Sequence, residues 1–145
     1  MHQSPRETVI AEKFQAMVQL GIANTRMKDF HDLKTLSELF RFESETLVEA
    51  IQRTFERRKT ALPVNEPPTA LTEEFHADAT KIAQWNAFNL KNKLYIQPCS
   101  LESVTTSIQK FVMPLMRSEI MSSERRLRWE PSKAWADVAA DGPGT

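Results

Sequence analysis

A chain of 145 residues, 41% apolar and 26% charged, has the length and balance of one folded domain with its own core. Nineteen basic and nineteen acidic residues cancel, so the overall charge argues for neither a nucleic acid nor a membrane surface. The single cysteine, Cys99, excludes an internal disulfide and suits a reducing, cytoplasmic setting, while three glycines leave no material for a phosphate-cradling loop or dinucleotide fingerprint.

The elements read as helix after helix. Ser4-Pro5-Arg6-Glu7 is a capping box with proline at the first helical position. From Pro5 to about Leu20, Val9, Ile10, Phe14, Met17 and Leu20 share one apolar face. Gly21 fits the stop, and Asn24 or Thr25 suits the cap of a second helix running to about Phe40, with Phe30, Leu33, Leu36 and Phe40 inward. Ser44 is placed to cap a third helix to about Arg58, whose face of Leu47, Val48, Ile51 and Phe55 carries no charge.

The proline-rich stretch from Leu62 to Pro68 is a connector, after which Thr72 opens a short helical turn. A helix from near Asp78 is expected to bury Ile82, Trp85 and Phe88. Ser100 caps the last long helix, striped by Val104, Ile108, Phe111, Val112, Leu115 and Met116 and kinked at Pro114. Leu94 to Gln97 is the one short strand candidate. Beyond Ser122 the stripe stops, and Arg125, Arg126 and Arg128 precede Trp129 and Trp135, a pattern read as a solvated tail that could touch a partner or nucleic acid. The expected architecture is an all-α helical bundle of about five helices, residues 1–122, followed by a mobile tail over 123–145.

Chemistry-bearing motifs are scarce. His2, His31 and His76 share no zinc-like spacing with Cys99, so no metal site is expected, and no serine stands in a nucleophile elbow. No apolar run reaches membrane-spanning length, and the start lacks a signal-peptide form, so no membrane partner is expected.

What stands out is charge within apolar arcs. Lys13 lies among Val9, Met17 and Leu20, and Asp29 lies in the inward arc of the second helix, flanked by Arg26 and Asp32. A lone buried charge is costly, so these groups need a partner, a ligand or a wet cleft. Two readings stay open on spacing alone. One is a structural ion-pair network, Lys13 to Asp29 across the helix contact and Arg26 to Asp29 along the helix. The other is half of a phosphate-handling site, in which Lys13, Arg26 and Lys28 and the second helix's N-terminal amides attract an anion.

The stretch Pro5 to Met17, with Glu12-Lys13, followed by Arg26-Met27-Lys28-Asp29-Phe30-His31-Asp32-Leu33, resembles the later motifs of the AbiEii/AbiGii nucleotidyltransferase toxins. The similarity extends through Thr54 to Arg58 and Leu71 to Trp85, up to about Leu115. The resemblance implies a fold related to DNA polymerase β-type nucleotidyltransferases, transfer of a nucleotide from a triphosphate with magnesium, and a cognate antitoxin in type IV toxin–antitoxin or phage-defence operons. It casts Asp29, the late catalytic aspartate, and Lys13, which also contacts phosphate, as the catalytic residues, with Arg26 and Lys28 on phosphate and Asp32 and Glu12 in support. His31 stands where the family usually has a tyrosine. The chain begins almost at the family's third motif, so the expectation is a C-terminal helical part that lacks the metal-binding aspartates and is inactive alone. Its expected partners are an antitoxin, the missing N-terminal half or a second copy of itself. The competing expectation is a non-catalytic helical module that self-associates or docks a partner protein.

Overall fold

The computed structural model describes residues 5–131 and 133–138. Seven α-helices and three short strands follow in order: α1 Pro5–Leu20, α2 Met27–Leu39, β1 Phe42–Glu43, α3 Ser44–Arg57, α4 Glu73–His76, α5 Ala79–Lys91, α6 Leu101–Val112, α7 Ser118–Met121, β2 Leu127–Trp129 and β3 Trp135–Asp137. The fold is mostly helical, as the periodicity implies. The Ser4 cap lies outside the described residues.

α1 packs along α3, and α2 against α6 and α5. Their facing stripes build one core in which Phe14 meets Phe55 at 5.5 Å between ring centroids and Phe30 stacks on Phe75 at 5.2 Å. Ile10, Leu33, Leu47, Ile51, Val104 and Ile108 are fully or almost fully buried between them. Each such side chain contributes about 1.5–3 kcal/mol relative to exposure. The α1 face is rotated from the one read in the sequence. Ile10, Phe14 and Met17 are buried, but Val9 and Leu20 are 39% and 37% exposed, and Gln15 turns inward instead.

Caps explain several boundaries. Gly21, at φ +53°, takes the left-handed conformation that ends α1 cheaply. Asp78 accepts from Lys81 N at 3.0 Å and Ser100 from Ser103 N at 3.0 Å, so α5 and α6 start where their caps predict. Asn24 Oδ1 accepts from Arg26 N at 2.7 Å, in the turn before α2. Ser44 does not cap α3. Its Oγ accepts from Leu127 N at 2.8 Å and so ties β2 to the helix start. Pro114 does not kink α6 either: the α-helix ends at Val112 and a 3-10 turn, Met113–Met116, takes over.

The strands depart most from expectation. Leu94 to Gln97 forms turn and loop, with Leu94 82% exposed. The three-stranded antiparallel sheet is built instead from β1, β2 and β3 in that order, with Phe42 opposite Trp129 and Trp129 opposite Trp135. Its first half, β1, precedes α3, and its second half comes from the segment expected as a tail. Trp129 is buried, meets Phe111 edge-on at 4.8 Å and donates from Nε1 to Ser37 O at 2.7 Å. Trp135 lies parallel to Phe111, within 7°, and donates to its carbonyl at 2.7 Å. Aromatic contact with α6 is what holds the hairpin. Residues 139–145 of the expected tail lie outside the described residues.

Candidate functional site

The charged residues singled out in α1 and α2 meet at one corner. Lys13 sits on the third turn of α1, at the border of its buried face, and Asp29 occupies the first turn of α2, where the helix amides favour a carboxylate. Lys13 Nζ donates to Asp29 Oδ1 at 2.9 Å and lies 3.3 Å from Asp32 Oδ2. Arg26 Nε lies 2.9 Å from Asp29 Oδ2, and Lys28 Nζ donates to Asp32 Oδ2 at 2.8 Å. The Arg26 contact is ionic but off the angle of a hydrogen bond, which leaves Asp29 Oδ2 buried with a cation beside it and no donated proton.

Burial orders these groups. The Asp29 side chain is 7% exposed and that of Lys13 20%, whereas Arg26 and Lys28 reach solvent at 56% and 76%. The corner is therefore a half-buried Lys13–Asp29 pair with two exposed cations over it. Burial pulls the Lys13 ammonium down, but the hydrogen bond and charge of Asp29, helped by Asp32, outweigh it and hold Lys13 above the ordinary lysine value. Burial likewise pushes Asp32 up, and the Lys28 hydrogen bond with the Lys13 charge overrides it and holds Asp32 below the usual carboxylate value. His31 Nδ1 is 3.5 Å from Asp32 Oδ1 and its ring tilts against Phe88 at 5.8 Å.

Beside this corner runs an open groove of about 500 Å³ between α1 and the end of α3. Lys13, Arg26 and Arg58 line it against one carboxylate, Glu12, with Gln15 and Ala16 in its wall. Glu12 is not part of the Asp29 cluster. It reaches across to α3, where it pairs with Arg57 and, at 2.9 Å, with Arg58. Lys13 has three donor positions and two carboxylate neighbours, so one remains for a groove ligand. With three cations against one acid, the lining suits an anion.

The residues present do not fit a magnesium centre. Asp29 and Asp32 are each held by lysine or arginine, and among the described residues no group of three or more His, Cys, Asp or Glu is placed to hold a metal ion. No helix of the described residues is long and apolar enough to cross a membrane.

One buried cation escaped the sequence reading. Lys81 of α5 is 5% exposed and donates to Asn24 O at 2.8 Å and Gln84 Oε1 at 3.2 Å, with its ammonium 5.5 Å above the Phe75 ring. It ties α5 to the turn that carries Arg26 into α2. Its signal was present: Lys81 lies four residues before Trp85, on the same helix face, whereas Ile82, expected inward, is 39% exposed. Asn24 itself is fully buried, and its Nδ2 has no hydrogen-bond partner.

Comparison with known proteins gives a match to a family model. The family described as nucleotidyl transferase AbiEii toxin, of a type IV toxin–antitoxin system, matches residues 4–105. That span contains α1 to α5, both partners of the Lys13–Asp29 pair and the whole groove lining. No curated protein matches. No solved structure matches.

Proposed function

The chain belongs to the AbiEii nucleotidyltransferase toxin family, and from that premise we propose that the groove beside Lys13 holds the phosphates of a nucleoside triphosphate. The observation that carries this is the Lys13–Asp29 bond of 2.9 Å, made between residues sixteen apart and set at the edge of a cation-lined groove. In this reading Lys13 and Arg26 meet phosphate oxygens, Lys28 adds positive charge at the rim, Asp29 fixes the ammonium, and Asp32 and Glu12 hold the neighbouring cations in place. Asp29 is the late-motif aspartate of the resemblance.

The magnesium-binding carboxylates of nucleotidyl transfer come, in this proposal, from a segment or chain beyond the described residues, because the two aspartates here are occupied by cations. Magnesium would stabilise charge on the triphosphate, and this chain's residues bind and orient. A cognate antitoxin is the partner the family implies, and the cytoplasm the compartment.

Calorimetric titration of the chain with each ribonucleoside triphosphate and magnesium tests the reading. Wild type is expected to bind at least one of them, and Lys13→Ala, shown folded by circular dichroism, is expected to lose that binding. A wild type that binds none, or a folded Lys13→Ala that binds equally, overturns it.

A second reading, a helical module that docks a protein or a second copy of itself, is favoured by apolar surface at the end of α5 and in the turn that follows it. There Leu90, Leu94 and Tyr95 are 68%, 82% and 83% exposed. Light scattering across a concentration series is expected to show a rising mass under that reading and a constant monomer otherwise.

A further inference from the structure

The basic run of residues 125–128, which the sequence puts beside tryptophans, is largely neutralised. Arg125 forms a two-armed bond to Asp137, at 2.7 Å and 3.1 Å, and Arg128 Nε bonds Glu43 at 2.8 Å. Of that run Arg126 alone stays exposed with no ion pair among the described residues, and it does not line the groove that the other unspent cations share. Those other cations at this end of the molecule come from elsewhere in the chain. Lys110, on the last turn of α6, Arg117, just before α7, and Lys133, between β2 and β3, are all exposed. Among the described residues their side chains form no hydrogen bond or ion pair. They converge on one groove of about 290 Å³, with Trp135 in its wall.

Two features make this groove more than a patch of surface charge. Trp135 cannot swing freely, since its ring lies parallel on Phe111 at 5.9 Å and its Nε1 is tied to the Phe111 carbonyl. The half-buried indole is therefore a fixed flat surface among cations. The groove also continues. Lys110, Pro114 and Arg117 equally line a neighbouring groove of about 370 Å³ that runs to the connector at Val64 to Pro67. A track of this form, with spaced cations along it and one rigid aromatic face, matches a single nucleic-acid strand, whose phosphates need point charges and whose bases stack on any aromatic plane. An acidic peptide would use the charges and leave the indole without a role.

We propose that this track, formed by Lys110, Arg117, Lys133 and Trp135, binds single-stranded nucleic acid. It stands apart from the Lys13 groove, shares no lining residue with it and does not rest on the triphosphate reading.

The test is fluorescence anisotropy of the full chain with a labelled mixed-sequence 12-nucleotide RNA, and with the matching DNA, across a salt series. With three phosphates neutralised, the slope of log affinity against log salt is expected near −2, at about 0.7 per phosphate on single strands. The Lys110→Glu/Arg117→Glu double variant is expected to weaken binding at least tenfold and to flatten the slope by about 1.4. Trp135→Leu is expected to weaken binding about fivefold or more with the slope unchanged, because stacking carries no counterion. Lys110 and Arg117 are exposed, so the charge reversals remain readable if Trp135→Leu fails to fold. Absence of binding at low salt overturns the proposal. So does equal binding by the double variant, or displacement of the oligonucleotide by polyglutamate as readily as by unlabelled RNA.

Discussion

The α1–α2 corner and the β2–β3 hairpin are both tied by charge, yet the ties do different things. At the corner, Lys13 and Asp29 are mostly out of solvent, so each protects the other from standing alone in a poor dielectric. On the hairpin, Arg125 and Asp137 meet with better geometry, two bonds against one, but at 45% and 61% exposure. Water and salt screen that pair, and the hairpin's hold comes from Trp129 and Trp135 packing on Phe111. Burial, more than bond count, decides what an ion pair is worth here.

The largest expected effect breaks the hairpin through its aromatics. Trp129→Ala removes a buried ring, its edge-on contact with Phe111 and its bond to Ser37 O, and is expected to cost about 3–5 kcal/mol in urea denaturation. A loss below about 1 kcal/mol would mean that the strands are held by something other than this packing.

The next is at the corner. Lys13→Met keeps the stem's packing and strands Asp29, which retains Arg26 beside its other oxygen. The expected loss is roughly 2 kcal/mol, below the ~3–5 kcal/mol of a fully buried pair with no substitute cation. A variant as stable as wild type would mark the corner as an open cleft, where Lys13 is held ready for a ligand rather than for the fold.

How far the sequence reached follows the same division. Lys13 and Asp29 were legible because a charge inside an apolar arc has to be accounted for, and α3 and α6 were legible because four to six apolar residues repeat without interruption. Lys81 was missed because α5 was read through Ile82, one residue out of phase with the buried face of Lys81 and Trp85. The strands were missed for a different reason. Two or three residues are too few to show a period of two, and β1 meets β2 across more than eighty positions, a pairing no local pattern encodes. Ser44 belongs to the same case: its hydroxyl looks like a helix cap in sequence and is taken by Leu127 N in space. Within the candidate site, the resemblance gives Glu12 a supporting role next to Lys13. One residue along a helix is a turn of about 100°, enough to aim it at Arg57 and Arg58 instead.

Acidity separates the two regions more finely. Asp32 is held below its ordinary value of 3.8, so the folded state prefers it ionised. Its contribution is complete above about pH 3.8 and is lost as pH falls through the lowered folded value. Lys13 is raised above 10.5, so its contribution is complete below that and lost as pH climbs through the raised value. Wild-type stability is therefore expected to fall at both extremes, and Lys13→Met to flatten the alkaline limb. An unchanged alkaline limb in the variant would separate Lys13 from that loss.

The smallest expected effect completes the comparison. Arg125→Ala removes both bonds to Asp137 and the weaker contact with Glu119 at 3.9 Å. It leaves Leu127, Trp129 and Trp135 where they are, and the Arg125 backbone N–H still donates to Glu119 O at 2.9 Å. Asp137 is left facing water, where an ion needs no partner, so no shift in the urea midpoint is expected at physiological salt. The measurement gains force at low salt, where screening weakens and any Coulombic contribution should surface. A clear loss at low salt that vanishes at high salt would still agree with a solvent-screened pair. A loss that persists at high salt would not, because only a desolvated pair resists screening. The hairpin would then join the corner as a region held by charge.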